Sequence, residues 1–341
     1  MSLPNCFKRY KNKIDTELKN QINFRNNPIY ITHKYYMGWD DLGGKYQNYI
    51  GKRFRPTLLL MSSDAVNGNN EIATKLAIAL EYVHNFSLIH DDLEDRDQYR
   101  HHRPTIWTIW GENAAIISGN AMLKISDEIM NGLISLGVGT KNAINLQSEI
   151  TNSYLKMMEG QYLDITYETI PSISITQYLE MIELKTGALI ESAMYLGSLT
   201  KIKNSNHKLN NHMKSIGHKF GRIYQIRDDI LGVWGTNKTG KPVGADLYRK
   251  KKSLPAVHAL NSESKNVKEK MHSIFSSENI DKNHVENILD LMEENNTLRY
   301  CQTLAEYYWK QAIEIIEEIN IGKNSTNDLI ELGEFLLYRE S

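Results

Sequence analysis

Between Glu71 and Asp95, the positions Leu76, Leu80, Val83 and Ser87 advance by four, three and four residues, the spacing of one buried face of an α-helix. A second such pattern opens at Ser174, where Ser174 and Gln177 have the spacing of a capping box. It continues through Tyr178, Met181, Ile182, Lys185 and Leu189. Residues 211–233 and 304–319 read as two further helices. Alternating strand patterns closed by Asn-Gly or Asp-Gly turns are absent. The pattern therefore predicts an almost entirely α-helical chain.

The breaks are few: Asn67-Gly68-Asn69-Asn70, then 201–211, 235–255, 276–283 and 322–328. None is long or biased enough to be an interdomain linker. The 341 residues, 41% of them hydrophobic, suffice for one large core or two smaller ones. Residues 1–341 are expected to form a single domain, because two acidic clusters described below would have to serve one cavity. Forty Lys and Arg balance 41 Asp and Glu, so no global field points to nucleic acid. Two cysteines, Cys6 and Cys301, exclude a disulfide framework and suit a reducing, cytoplasmic compartment. No apolar run approaches the roughly 18 residues of a membrane span, and the N-terminal residues do not read as a secretory signal.

Two acidic clusters, Asp91-Asp92-Leu93-Glu94-Asp95 and Asp228-Asp229, sit inside helical patterns. Asp91 and Asp95 share a helix face one turn apart. Two carboxylates roughly 6 Å apart repel by about 3 kcal/mol at an effective dielectric near 20. Such a pair is cheap on a solvated surface and useful where a divalent cation neutralises it. Hard oxygen donors suit Mg²⁺, which keeps several waters and bridges carboxylate to phosphate. Cations flank these clusters: Lys52, Arg53 and Arg55 upstream, then Arg100, His101, His102 and Arg103 just beyond. A solvated basic turn is the ordinary reading of either group alone. The run Arg249-Lys250-Lys251-Lys252 reads as mostly solvated, with Lys251 the exception.

Phe86-Ser-Leu-Ile-His-Asp-Asp-Leu-Glu-Asp95, followed by Arg100 and Arg103-Pro104-Thr105, resembles the first aspartate-rich motif of the trans-isoprenyl diphosphate synthases, the head-to-tail polyprenyl synthetases. The resemblance extends through Gly51-Lys-Arg-Phe-Arg-Pro56, Glu159-Gly-Gln-Tyr-Leu-Asp164, Lys185-Thr-Gly-Ala-Leu189, residues 225–229 and Gly240-Lys-Pro-Val-Gly-Ala-Asp246. It covers about residues 45–260 in order. It implies an all-α, isoprenoid-synthase-type bundle of long, mostly antiparallel helices around a deep central cavity, and a homodimer. It also implies Mg²⁺-dependent transfer of an allylic prenyl group to isopentenyl diphosphate. By resemblance, Asp91, Asp95 and Asp228 hold the metal on the allylic diphosphate, with Asp92 and Asp229 supporting; these five and Lys185 form the catalytic set. Arg100, Lys185 and Lys251 match positions that contact the same diphosphate, with Thr186 and Gln225 nearby. Lys52, Arg55 and His84 match the metal-free pocket for isopentenyl diphosphate, and His101 stands where a further contact to it is usual. Asp164 reads equally as an orienter of a ligand or as an ordinary polar residue.

Chain length follows from depth. Phe86 lies about 7.5 Å along the helix from Asp91, at 1.5 Å per residue, and small Ser87 should not block a growing tail. Phe86 at this position implies a short product, the twenty-carbon diphosphate first and the fifteen-carbon one next. Three departures stand against the family pattern: His101 in place of Arg, Gly232 in place of the last Asp of the second motif, and Asn120 in place of Asp. They keep open a cyclase that ionises a preformed prenyl diphosphate. Retention of Lys52, Arg55 and His84 argues against it, since a cyclase has no second substrate to hold. A non-catalytic partner subunit is a further alternative, disfavoured by the five retained carboxylates.

Overall fold

Asn69 starts the helix that carries the first acidic cluster. Its side-chain oxygen accepts the backbone N–H groups of Glu71 and Ile72 at 3.0 and 3.1 Å, satisfying two donors that a helix start leaves unpaired. In this computed structural model, which describes residues 3–45, 51–202, 206–235 and 243–340, helices dominate. They are α1 (Asn5–Asn23), α2 (Ile29–Tyr36), α3 (Phe54–Ala65), α4 (Asn70–Glu94), α5 (Ile106–Trp110), α6 (Glu112–Asn131), α7 (Thr140–Glu168), α8 (Ile175–Ile182), α9 (Ala188–Leu199) and α10 (His207–Trp234). The chain continues through α11 (Ala245–Tyr248), α12 (Leu254–Leu260), α13 (Lys265–Phe275), α14 (Lys282–Glu294), α15 (Thr297–Glu318) and α16 (Lys323–Tyr338). The all-α class predicted from periodicity is what the chain adopts.

Four details differ from the sequence reading. Strands β1 (Tyr99–Arg100) and β2 (Arg103–Pro104) pair antiparallel around a turn in which His101 and His102 both have positive φ, 50° and 62°. That is the two-residue hairpin geometry normally filled by Asn-Gly, and histidine is among the residues that tolerate it. The helical pattern from Ser174 does not run straight. Its capping box forms, but a π turn at Glu183–Gly187 separates α8 from α9. The break at 322–328 is shorter than its composition suggested, because Gly322 is the N-cap of α16. The lysine run is less solvated than expected. Lys252 is buried with its ammonium 5.2 Å from the Phe275 ring, and Lys250 donates to the Ser277 carbonyl.

The described residues cluster into two compact units. One comprises Pro4–Thr151 and Ser192–Asn210; the other contains Asn152–Glu191 and the residues from Asn211 onward. In the first, α4 packs on α6 and α3. Leu58, Leu59, Leu76, Ile78, Tyr82 and Phe86 lie in its core, each such side chain contributing about 1.5–3 kcal/mol on burial. A Cβ on Gly197 would fall 2.7 Å from Cβ of Ser62, so only glycine lets α9 approach α3 this closely. The core of the second unit includes Val233, Leu247, Leu260, Val267, Met271, Ile288 and Met292. Cys6 and Cys301 are buried free thiols.

Candidate active site

Successive residues on a helix point about 100° apart, and α4 uses this to divide its carboxylates. Asp91 is partly exposed, Asp92 is buried to 1% exposure, and Asp95, the C-cap, is partly exposed. Arg100 on β1 donates through Nε to Asp92 at 2.5 Å and through Nη2 to Asp91 at 3.0 Å. The Tyr36 hydroxyl donates to the other Asp92 oxygen at 3.2 Å. Burial raises the pKa of Asp92 to about 6, against the pull of Arg100. Burial also works against the Arg100 charge, yet Tyr36, Asp92 and Asp91 hold its pKa up.

Earlier on α4, His84 meets Arg55 of α3 at 2.9 Å, Nε2 to Nη1. Burial, then Arg55, Arg100 and Arg53, push the His84 pKa well down, so the imidazole is neutral and accepts from the guanidinium. Lys52 lies exposed just before α3. Arg53, which the motif does not separate from its neighbours, has a structural task. In the left-handed region at φ 53° it is buried and donates to Asp15 at 2.9 Å, Glu81 at 3.1 Å and the Met37 carbonyl at 3.3 Å. Phe86 is buried at 2% exposure with its ring edge-on to His90, 5.5 Å away, and Ser87 donates to the His84 carbonyl at 2.8 Å. Asn120 is exposed on α6, and His101 occupies the hairpin turn.

The second cluster repeats this division on α10. Asp229 is buried and accepts from Tyr178 at 2.6 Å, Gln225 at 2.8 Å and the backbone N–H of Leu254 at 2.7 Å. The last bond places a carboxylate at the N-terminus of α12, where the helix dipole favours it. Burial raises the Asp229 pKa to about 6, with Asp246 pushing the same way and Lys251 opposing. Asp228 is paired with Arg339, whose guanidinium also sits 4.5 Å from the Tyr224 ring centroid. Arg227 holds that C-terminal residue by donating to its carbonyl at 2.7 Å. Nothing in the C-terminal sequence announced Arg339, and Tyr178 read only as a core position.

Lys185 and Thr186 lie in the π turn, a local widening that recurs at functional sites. Lys185 is ion-paired with Asp164, which favours the orienting reading of that carboxylate. Thr186 donates to Gln225 at 2.7 Å, and Gln225 in turn donates to Asp229. Gly160 on α7 makes room for the turn: a Cβ there would lie 2.6 Å from Cα of Lys185. Lys251 donates its backbone N–H to the Asp246 carbonyl at 3.0 Å. Gly232 has a concrete reason to be glycine, since a Cβ would come 2.6 Å from Cγ of Asp246. The motif residues 240–242 lie outside the described residues.

Among the described residues, no three His, Cys, Asp or Glu side chains gather as a metal-binding group. The donor chemistry nevertheless fits a hard cation of modest protein coordination. Asp91 and Asp95 keep solvent access, whereas Asp92 and Asp229 are committed to internal partners. A cation that retains waters and shares substrate oxygens needs no more than a few carboxylates from the protein.

Each of two helices thus carries an Asp-Asp pair, and each pair is tied to an arginine. A family model described as Polyprenyl synthetase matches residues 42–292. The chain is 30% identical over 312 residues to a (2E,6E)-farnesyl diphosphate synthase of Mycobacterium tuberculosis, covering 90% of this chain and 85% of that protein. Identity to a geranylgeranyl diphosphate synthase of Saccharolobus solfataricus is 31% over 291 residues, 85% and 86% of the two chains. The crystal structure of a polyprenyl synthetase from Streptomyces coelicolor superposes with a TM-score of 0.88 at 28% identity, covering 97% and 98%. The chain belongs to the polyprenyl synthetase family and is a prenyltransferase with the all-α isoprenoid-synthase fold. No helix among the described residues is long and apolar enough to cross a membrane.

Proposed function

We propose that this chain condenses isopentenyl diphosphate with an allylic diphosphate, head to tail, to give a short-chain prenyl diphosphate, geranylgeranyl diphosphate first and farnesyl diphosphate next. One observation carries this reading. Helix α4 bears two kinds of anion-handling chemistry: the carboxylates Asp91 and Asp95 at its C-terminal end, and His84, paired with Arg55, two turns earlier. An acidic pair suits a diphosphate that arrives with a divalent cation, and a basic pocket suits one that arrives without. Only the first should lose its diphosphate.

In this mechanism Asp91, Asp95 and Asp228 are the residues that would hold Mg²⁺, which supplies charge neutralisation to the departing diphosphate. Arg100, Lys185 and Lys251 add fixed positive charge where negative charge accumulates. Thr186 and Gln225 orient that side, and Asp92 and Asp229 hold their neighbours in place. Lys52, Arg55, His84 and His101 bind isopentenyl diphosphate so that its double bond attacks the allylic carbon as the C–O bond breaks. The proton lost from the new chain passes to the released diphosphate. Both acidic clusters act on the one allylic diphosphate, and residues 1–341 work as a single catalytic domain.

Phe86 sets the depth available to the tail, with Ser87 leaving the path open. Phe86→Ala lengthens the main product by at least one five-carbon unit, read by mass spectrometry of the dephosphorylated alcohols; an unchanged distribution rejects this role. The chain acts as a homodimer. Leu155, Met158, Tyr162 and Ile165 on α7 are exposed at helical spacing of three, four and three, an apolar stripe that suits a second copy. The deciding assay supplies Mg²⁺ and isopentenyl diphosphate with dimethylallyl, geranyl or farnesyl diphosphate, and the prenyl diphosphates alone in parallel. Elongated linear diphosphates support the proposal. Cyclic hydrocarbons or alcohols from single-substrate tubes identify a cyclase, and absence of turnover identifies a non-catalytic subunit.

A further inference from the structure

Helix α2 precedes the segment matched by the family model and carries none of the motifs. Its last residue, Tyr36, donates to Oδ2 of Asp92 at 3.2 Å, while Oδ1 of the same carboxylate accepts Nε of Arg100 at 2.5 Å. A carboxylate and a guanidinium left to themselves favour two parallel bonds. Here Tyr36 holds Oδ2, and Arg100 makes a single bond to Asp92 and turns Nη2 to Asp91 at 3.0 Å. Its Nη1 then has no partner among the described residues. Desolvation holds the Tyr36 pKa well above that of a free phenol, so the hydroxyl stays a donor.

Tyr36 is itself held firmly. On α2, His33 and Thr32 bond to the carbonyl and hydroxyl of Ser118 on α6 at 2.9 and 2.8 Å. Tyr35 donates to the Pro104 carbonyl at 2.8 Å, and the Arg103 guanidinium lies 4.0 Å from the Tyr35 ring centroid. Helix α2 thus braces both the hairpin that carries Arg100 and the carboxylate that aims it. We infer that Tyr36 is a positioning residue for the allylic-diphosphate contact of Arg100, acting through Asp92. This rests on the proposed role of Arg100.

The test is Tyr36→Phe, which deletes one oxygen. It is expected to raise KM for the allylic diphosphate about fivefold, as loss of one hydrogen bond implies, with kcat and KM for isopentenyl diphosphate within about twofold of wild type. Tyr82→Phe is the control. It deletes a buried hydroxyl that donates to the Leu18 carbonyl, and both KM values should stay unchanged. Calorimetric binding of dimethylallyl S-thiolodiphosphate with Mg²⁺ completes a double-mutant cycle: Tyr36→Phe should weaken binding in the wild-type background and add nothing to Arg100→Lys. Tyr36→His, which keeps a ring N–H donor, should recover part of the affinity and serves if the phenylalanine variant does not fold. An unchanged allylic KM, an equal rise in both KM values, the same effect in Tyr82→Phe, or additive losses with Arg100→Lys overturns the inference. A wild-type protein that neither binds the analogue nor turns over overturns the underlying reading of Arg100 instead.

Discussion

Each Asp-Asp pair splits its labour in the same way. The first aspartate keeps solvent contact and faces an arginine, Asp91 with Arg100 and Asp228 with Arg339. The second is buried, accepts from a tyrosine hydroxyl, Tyr36 or Tyr178, and has its pKa raised by burial to about 6. A buried carboxylate is tolerated because its lone pairs are met, and it fixes the backbone that carries its neighbour. Beside the second pair, Gly232 yields its side-chain volume to Asp246. Restoring the family's aspartate with Gly232→Asp therefore destabilises the chain by about 1–3 kcal/mol, the usual cost of overpacking. Urea unfolding checks this, and adding Asp246→Gly should recover most of the loss. The i, i+4 pairing of Asp91 and Asp95 was legible in the sequence. The burial of Asp92 and Asp229 was not, because their tyrosine donors come from 56 and 51 residues away.

At the scale of elements, the Ser174 capping box was legible and forms with both of its bonds, whereas the helices read from 211 and 304 begin earlier, at His207 and Thr297. The interruptions were opaque. Apolar spacing through Tyr178 and Leu189 does not reveal the π turn, because the residue packed against it, Gly160, comes from another helix. The hairpin hid behind a His-His turn that lacks the usual glycine. Helix α2 gives a pH prediction. His33 is fully buried, and burial lowers its pKa from 6.5 to about 4, with Arg25 acting in the same direction. Below about pH 6.5 the unfolded chain takes up a proton that the folded helix refuses until about pH 4. The neutral imidazole thus contributes stability that is present above pH 6.5 and is lost as pH falls toward 4, about 3 kcal/mol in full. Chemical denaturation of wild type and His33→Gln across this range checks it. The glutamine variant, which keeps a donor for the Ser118 carbonyl, should show a correspondingly shallower loss; identical slopes contradict the assignment.

For the molecule as a whole, motif order specified the family, because six segments in sequence constrain far more than any one of them. It could not specify association, which depends on which apolar positions remain uncovered. Tyr162 on α7 is 71% exposed although its neighbours on the stripe are apolar. Tyr162→Asp should shift the sedimentation coefficient from dimer to monomer at micromolar concentration, while a monomeric wild type contradicts the assignment of a second copy. The proposed joint action of two carboxylate groups on one leaving diphosphate spans 137 residues, from Asp91 to Asp228. Its most direct test is the kcat cycle of Asp91→Asn, Asp228→Asn and the double variant. Each single change should cost on the order of 10²–10³-fold, as loss of one transition-state charge contact does. The double variant should lose about as much as the worse single one, because groups that act as a unit fail together. Losses that multiply would show two independent sites and contradict the account.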